Sequence, residues 1–104
     1  MRQFNMMIYY KNEAELERYL WKLNLGEPIF VKKFYSTTEY MYECFYILCF
    51  NRFANMRDGY YKTDLVVIEN CYKNEDNFKE ILNCVIEPSL ISFNLPIQYF
   101  GGDE

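Results

Sequence analysis

Between Gln3 and Tyr10 the residues alternate, with Phe4, Met6, Ile8 and Tyr10 on one side and Gln3, Asn5, Met7 and Tyr9 on the other. This period-two pattern predicts a half-buried strand. The period then changes. Leu16, Tyr19, Leu20 and Leu23 recur at i, i+3, i+4 and i+7, which predicts an amphipathic helix. Asn12 supplies a cap oxygen, and Glu15, three residues on, completes the spacing of a capping box. Gly26 and Pro28 close the segment. Pro28 to Tyr35 is apolar and β-rich around Lys32 and Lys33, which suits a strand crossing a partly solvated sheet.

Thr38 to Phe53 is harder to read. Ser36 and Glu39 have capping-box spacing, yet Tyr40, Tyr42, Phe45, Tyr46, Ile47 and Phe50 are strand formers that surround a helical wheel instead of making a stripe, so a long strand is expected. Ala54 to Gly59, ending in Asp58-Gly59, carries turn chemistry, and Tyr60 to Glu69 forms the next strand, so the two are expected to make a hairpin. Asn74 opens a second helix with the stripe Phe78, Ile81, Leu82, Val85 and Ile86, which Pro88 ends. Leu90 to Phe100 contains Pro96 and fits an edge strand, and residues 101–104 read as a frayed tail.

The predicted architecture is one α+β domain over residues 1–104, an antiparallel sheet in the order β-α-β-β-β-α-β with two helices on one face. At 104 residues and 51% hydrophobic, the chain has apolar surface enough for one core and no room for a second. No apolar run reaches the roughly 18 residues of a membrane span, and Met1 to Tyr10 lacks the basic-then-apolar build of a signal peptide. A cytoplasmic protein with no membrane contact is expected.

Charge and aromatics sharpen this picture. The formal charge of −4 is uneven: residues 1–52 carry seven bases and six acids, residues 53–104 four bases and nine acids. Such a field repels phosphate and steers a basic protein surface towards the C-terminal part. Lys32, Lys33, Arg52, Arg57 and Lys62 are the plausible suppliers of a basic groove, too few to favour nucleic acid. The 11 Tyr, nine Phe and one Trp are more rings than a small core can bury, and Tyr and Trp are enriched at interfaces. AT-rich coding competes as an explanation, because Asn, Lys, Tyr, Phe and Ile total 45 residues against 13 for Ala, Gly, Pro and Arg.

Chemistry-bearing groups are scarce. The chain has no His, which removes the commonest general base and metal ligand, and Cys44, Cys49, Cys71 and Cys84 contain no C-x-x-C pair. The cysteines read as reduced thiols, with Cys44, Cys49 and Cys84 inside apolar stretches and buried. Asp64 and Glu69 are the carboxylates to watch for acid-base work, with nothing in the sequence to bring them together. No catalytic, cofactor or metal residue is assigned.

The surface candidates are Trp21, opposite the stripe of the first helix; Asp76, Glu80 and Glu87, an acidic ridge on the second; and Tyr9 and Tyr61, one from each Tyr doublet, facing away from the helices. The function expected is a small acidic, non-enzymatic module that inhibits or titrates a larger partner with a basic surface. Phage or mobile-element inhibitors of host defence and bacterial immunity proteins are of this kind. The alternatives are a self-associating structural subunit, a homodimer among them, and a ligand-binding domain or enzyme with an aromatic pocket.

Overall fold

The computed structural model describes residues 3–53, 63–87 and 97–102. The expected turn at Ala54–Gly59, Tyr61, residues 90–96 of the expected Leu90–Phe100 stretch and Asp103-Glu104 lie outside them, as do the side chains of Cys84 and Val85. The described residues form an α+β fold with one six-stranded sheet: β1 (Phe4–Tyr9), β2 (Phe30–Phe34), β3 (Thr37–Met41), β4 (Phe45–Phe50), β5 (Leu65–Glu69) and β6 (Gln98–Phe100), in the order β2-β3-β4-β1-β5-β6. Helix α1 spans Glu13–Leu23. Helix α2, Phe78–Ile81, follows a 3-10 turn at Asn70–Asn74 and continues as a π-helical turn at Leu82–Ile86.

The sheet is mixed, which corrects the antiparallel expectation. β1 lies in the middle and pairs parallel with both β4 and β5, β5 pairs parallel with β6, and only β2-β3-β4 is antiparallel. Parallel strands covered on both faces are apolar at consecutive positions instead of alternate ones. Met6, Met7, Ile8, Tyr9 and Tyr10 are all buried, and so is every residue of β5. The apparent alternation of Gln3 to Tyr10 therefore misled, because it assumed one wet face.

The helices lie on opposite faces, not on one. Leu16, Tyr19, Leu20 and Leu23 of α1 pack with Met6, Ile8, Ile47, Cys49 and Val67, whereas Phe78, Ile81, Leu82 and Ile86 pack with Met7, Tyr9, Leu48, Phe50 and Ile68. Topology explains this. Crossovers between parallel strands share one hand, and β1-α1-β2 moves towards one edge of the sheet while β5-α2-β6 moves towards the other. Connections of one hand that run in opposite directions must use opposite faces.

Two strand assignments also change. Thr38 to Phe53 is not one strand: β3 turns into β4 at Tyr42, whose N–H donates to the Phe45 carbonyl at 2.8 Å. The turn Tyr42-Glu43-Cys44 has none of the Gly, Asn or Pro that mark turns. Nor do β4 and β5 form a hairpin, because both run parallel to β1, which separates them. The second helix begins at Phe78 and not at Asn74, since residues 70–74 wind more tightly. Gly101 and Gly102, expected as tail, are bonded to the body: Asn70 Nδ2 donates to the Gly101 carbonyl at 2.7 Å, and the Gly102 N–H donates to Glu15 Oε2 at 3.2 Å. Gly101 has φ +79, and a Cβ there would stand 3.1 Å from Cγ of Glu69.

Helix α1 starts as expected, with Asn12 Oδ1 accepting from the N–H of Ala14 at 2.9 Å and of Glu15 at 3.4 Å. The capping box is completed by a different acid. Glu15 binds Arg18 at 2.7 Å, and the Asn12 N–H donates instead to Glu69 Oε1 at 3.0 Å, beside the Lys11 N–H at 2.7 Å. A buried carboxylate at the end of β5 thus fixes the β1-to-α1 connection. Glu69→Ala leaves both donors without this acceptor and should lower stability by about 2 kcal/mol, while Glu69→Gln, which keeps a carbonyl oxygen, should lose less. Urea unfolding of the two variants decides this, and equal losses would show that the acceptor is not what matters.

Candidate protein-docking surface

In sheets whose crossovers diverge, ligands usually lie beyond the carboxyl ends of the strands at the point of divergence, here between β1 and β5. The Glu69 carboxylate already takes the loop donors there. Cys71 lies beside it, exposed, its thiol pushed up by burial and by the charge and hydrogen bond of Glu69. That is the opposite of an activated nucleophile, whose thiol is lowered. Asp64 and Glu69 stand at opposite ends of β5, five residues or about 16 Å apart at ~3.3 Å per residue, too far for a carboxylate pair. Among the described residues no cluster of His, Cys, Asp or Glu has metal-binding form.

A cleft of about 290 Å³ opens between α1 and β6, lined chiefly by Glu15, Arg18, Tyr19, Lys22, Tyr99 and Phe100. Its size is at the bottom of the range of small-molecule sites, roughly 300 to 1,000 Å³. Glu15 and Arg18 in its wall pair with each other at 2.7 Å.

The surface changes character at the other end of the sheet. Every residue of β2 is exposed, because α1 covers one face no further than β3 and α2 covers the other over β4, β1 and β5. Ile29, Phe30, Val31, Phe34 and Tyr35 stand in water, Tyr35 completely. Strand pairing sorts them by face. Val31 and Lys33 lie on the α1 side, where Lys33 Nζ is 3.9 Å from Glu13, and Phe30, Lys32 and Phe34 lie on the α2 side, where Lys32 Nζ sits 4.8 Å from the centre of the Phe34 ring. Tyr35, in the β2-β3 turn, has φ 29, a left-handed conformation that disfavours an aromatic residue. The positive φ belongs to the two-residue turn Tyr35-Ser36 that joins β2 to β3, and it leaves the Tyr35 ring wholly in solvent.

The backbone edge of β2 is open as well. In an antiparallel pair the N–H and C=O of one residue point to the same neighbour, and successive residues alternate. Tyr42 donates to Phe45 and Ser36 accepts from Asn51, so even-numbered residues of β3 face β4. Thr37, Glu39 and Met41 therefore face β2, and their partners Phe34, Lys32 and Phe30 face β3. Val31 and Lys33 are left with their backbone groups pointing outwards. The opposite edge, β6, has three residues, and its following glycines are hydrogen-bonded.

Of the residues expected at an interface, Trp21 is 82% exposed. Steps of four residues turn a helix by about 40°, so Trp21 follows Glu13 and Glu17 along the α1 flank nearest β2 and β3. Asp76, Glu80 and Glu87 are exposed but make no single ridge. Asp76 precedes α2, Glu80 lies in it and Glu87 follows the π-helical turn, whose wider winding breaks the phase; all belong to the side of the sheet away from Trp21. Tyr61 is outside the described residues.

Tyr9 is corrected outright. Because α2 covers its face, it is fully buried, stacked on Phe50 at 5.2 Å and edge-on to Phe53 at 5.3 Å, with a buried hydroxyl that has no hydrogen-bond partner among the described residues. Tyr10 and Tyr42 are buried too, on the face that α1 covers. Cys49 is buried as expected, whereas Cys44 is exposed, because it sits in the β3-β4 turn. The β2 end was missed in the sequence, although a Lys doublet within an apolar strand is a usual mark of an edge.

Comparison with known proteins finds no match among family models, curated proteins or solved structures.

Three outcomes follow from the buried groups. Burial raises the hydroxyl pKa of Tyr9, that of Tyr72 and that of Tyr40, the last to about 12, so the unfolded chain ionises first. Their contribution to stability should be whole below pH 10 and lost as pH rises towards 12. Tyr9→Phe removes an unpaired buried hydroxyl and should be neutral or stabilising by about 1 kcal/mol; a clear loss would mean that the hydroxyl has a partner. In thiol labelling, Cys44 and Cys71 should react in the native protein while Cys49, its thiol pushed up to about 12, should not. Titration of the denatured, unreduced chain should find all four cysteines free. Labelling of Cys49 at the rate of Cys44 would contradict its burial.

Proposed function

We propose that this chain is a non-enzymatic protein-binding module that occupies, and so inhibits or titrates, a larger partner. The observation that carries the reading is the uncovered β2 end, where Ile29, Phe30, Val31, Phe34 and Tyr35 are exposed together beside an open backbone edge. Large apolar side chains exposed together at one strand favour an interaction site. The self-filled crevice at Glu69 and the separation of Asp64 from Glu69 favour binding over catalysis.

Trp21 belongs to the contact as an anchor, and the exposed acids Asp76, Glu80 and Glu87 act on the approach of a basic partner instead of in the apolar contact. The expected setting is the cytoplasm, with a host-defence enzyme or a toxin as the class of target. Self-association is the second reading, favoured by the open edge of β2.

Affinity capture from cells of the source, with wild type and variants compared quantitatively, tests the proposal. Trp21→Ala and Phe34→Ala should each weaken capture of one specific partner, by about 2 kcal/mol if the residue is a hot spot, with melting temperature unchanged. Changing Asp76, Glu80 and Glu87 together to Gln should slow association and reduce its salt dependence. Undiminished capture by both apolar variants would overturn the β2 end as the docking surface.

A further inference from the structure

We propose that β2 pairs with β2 of a second copy, antiparallel about a twofold axis at Val31, to make one continuous twelve-stranded sheet. This shares a strand with the proposed docking surface and does not depend on it. Only Val31 and Lys33 within β2 have backbone groups turned outwards, as the hydrogen bonds of Tyr42 to Phe45 and of Asn51 to Ser36 dictate. A twofold pair must match outward-facing residues with one another. The axis can then pass through Val31, Lys32 or Lys33.

Side chains choose among the three. An axis at Lys32 sets Lys32 against Lys32 of the other copy in a close, non-hydrogen-bonded pair, and an axis at Lys33 sets Lys33 against itself; like charges directly opposite are destabilising. An axis at Val31 sets Val31 against Val31, the pair that exchanges hydrogen bonds, while Ile29, whose N–H donates to the Met41 carbonyl at 2.6 Å, is turned inwards and donates nothing to Lys33; the same axis sets Phe30 against Lys32 twice, in the close pairs where an ammonium can lie on a ring. Lys32 already sits 4.8 Å over the Phe34 ring, so ammonium-on-ring contact is native to this face. The lysines do not bar approach, because Glu13 lies 3.9 Å from Lys33 and Glu39 is in register with Lys32 on β3. Segment Phe30-Val31-Lys32 is therefore self-complementary in one register. Paired this way, Phe30, Lys32 and Phe34 of both copies join on the α2 face into one platform of rings and ammonium groups, a larger surface for a partner than either copy offers.

The test uses the purified full chain and no other component. Sedimentation equilibrium should give twice the 12.7 kDa mass, with Val31→Lys weakening the dimer at least tenfold and leaving circular dichroism unchanged. Register is read by cross-linking in a background with Cys44→Ser and Cys71→Ser, which alone should not cross-link. Val31→Cys should form an intermolecular disulfide on mild oxidation, since hydrogen-bonded antiparallel partners lie about 5.5 Å apart at Cα, within disulfide reach. Lys32→Cys should do so much more slowly. Phe30→Glu, facing Lys32 of the other copy, should keep the dimer. A monomeric mass across the accessible concentration range, or faster cross-linking at 32 than at 31, would overturn the proposal. A monomer that still captured a partner through Phe34 would leave the binding function standing and remove only the self-pairing.

Discussion

The carboxylate of Glu69 holds the structure at its centre. It sits at the end of β5, buried, and accepts the N–H groups of Lys11 and Asn12 where the chain leaves β1 for α1. The Asn12 N–H, at the N-cap, is a donor that a helix start leaves without an intrahelical partner. By accepting both N–H groups from a neighbouring strand, Glu69 fastens the β1-β5 pair to the first crossover, and the approach of Gly101 to its Cγ brings the end of β6 to the same point. The same bonds fill the crevice in which a fold of this topology would receive an anionic ligand. One side chain thus ties together β1, β5 and the start of α1.

With the middle of the sheet secured, coverage becomes the limiting resource. Two short helices, one per face, are enough to bury β4, β1 and β5 and do not reach β2. A chain of this size buries a smaller fraction of its surface than a larger domain does, so some apolar surface stays outside. Here it is gathered at one edge, on a strand whose outward backbone groups and rings can serve the same contact. The binding function proposed above draws on this uncovered strand.

Much of this was legible in the residues. The period-3.6 stripe and Asn12 placed α1 and its cap, Lys32 and Lys33 placed β2 on solvated ground, and the off-stripe position of Trp21 agreed with its exposure. The rest depended on pairings over long separations. Met6 to Tyr10 and Leu65 to Ile68 are apolar runs that fit a doubly covered parallel strand, but choosing that reading requires knowing that helices lie on both faces. The β3-β4 turn was hidden because Tyr42-Glu43-Cys44 carries no turn signal, and the helical phase assumed for Asp76, Glu80 and Glu87 does not hold because α2 begins only at Phe78 and a π turn separates Glu80 from Glu87. Tyr9 was misplaced for one reason, that its face was taken as open.

Edge strands with exposed rings invite endless growth, yet the two edges of this sheet differ in a way that limits it. Pairing about an axis at Val31 consumes β2 in both copies and leaves β6 as the outer edge on each side. That edge is three residues long, Lys73 lies 4.0 Å over the Tyr99 ring beside it, and the glycines after it are hydrogen-bonded to Asn70 and Glu15. Short, charged and pinned edges do not template further strands. A contact between identical surfaces closes on itself, whereas one between unlike edges would extend without end. The lysines of β2 act in the same direction: they penalise the registers centred on themselves and leave one that is favourable. In the proposed pairing the exposed strand is therefore selective, and its closure about the twofold axis works against growth into a fibre.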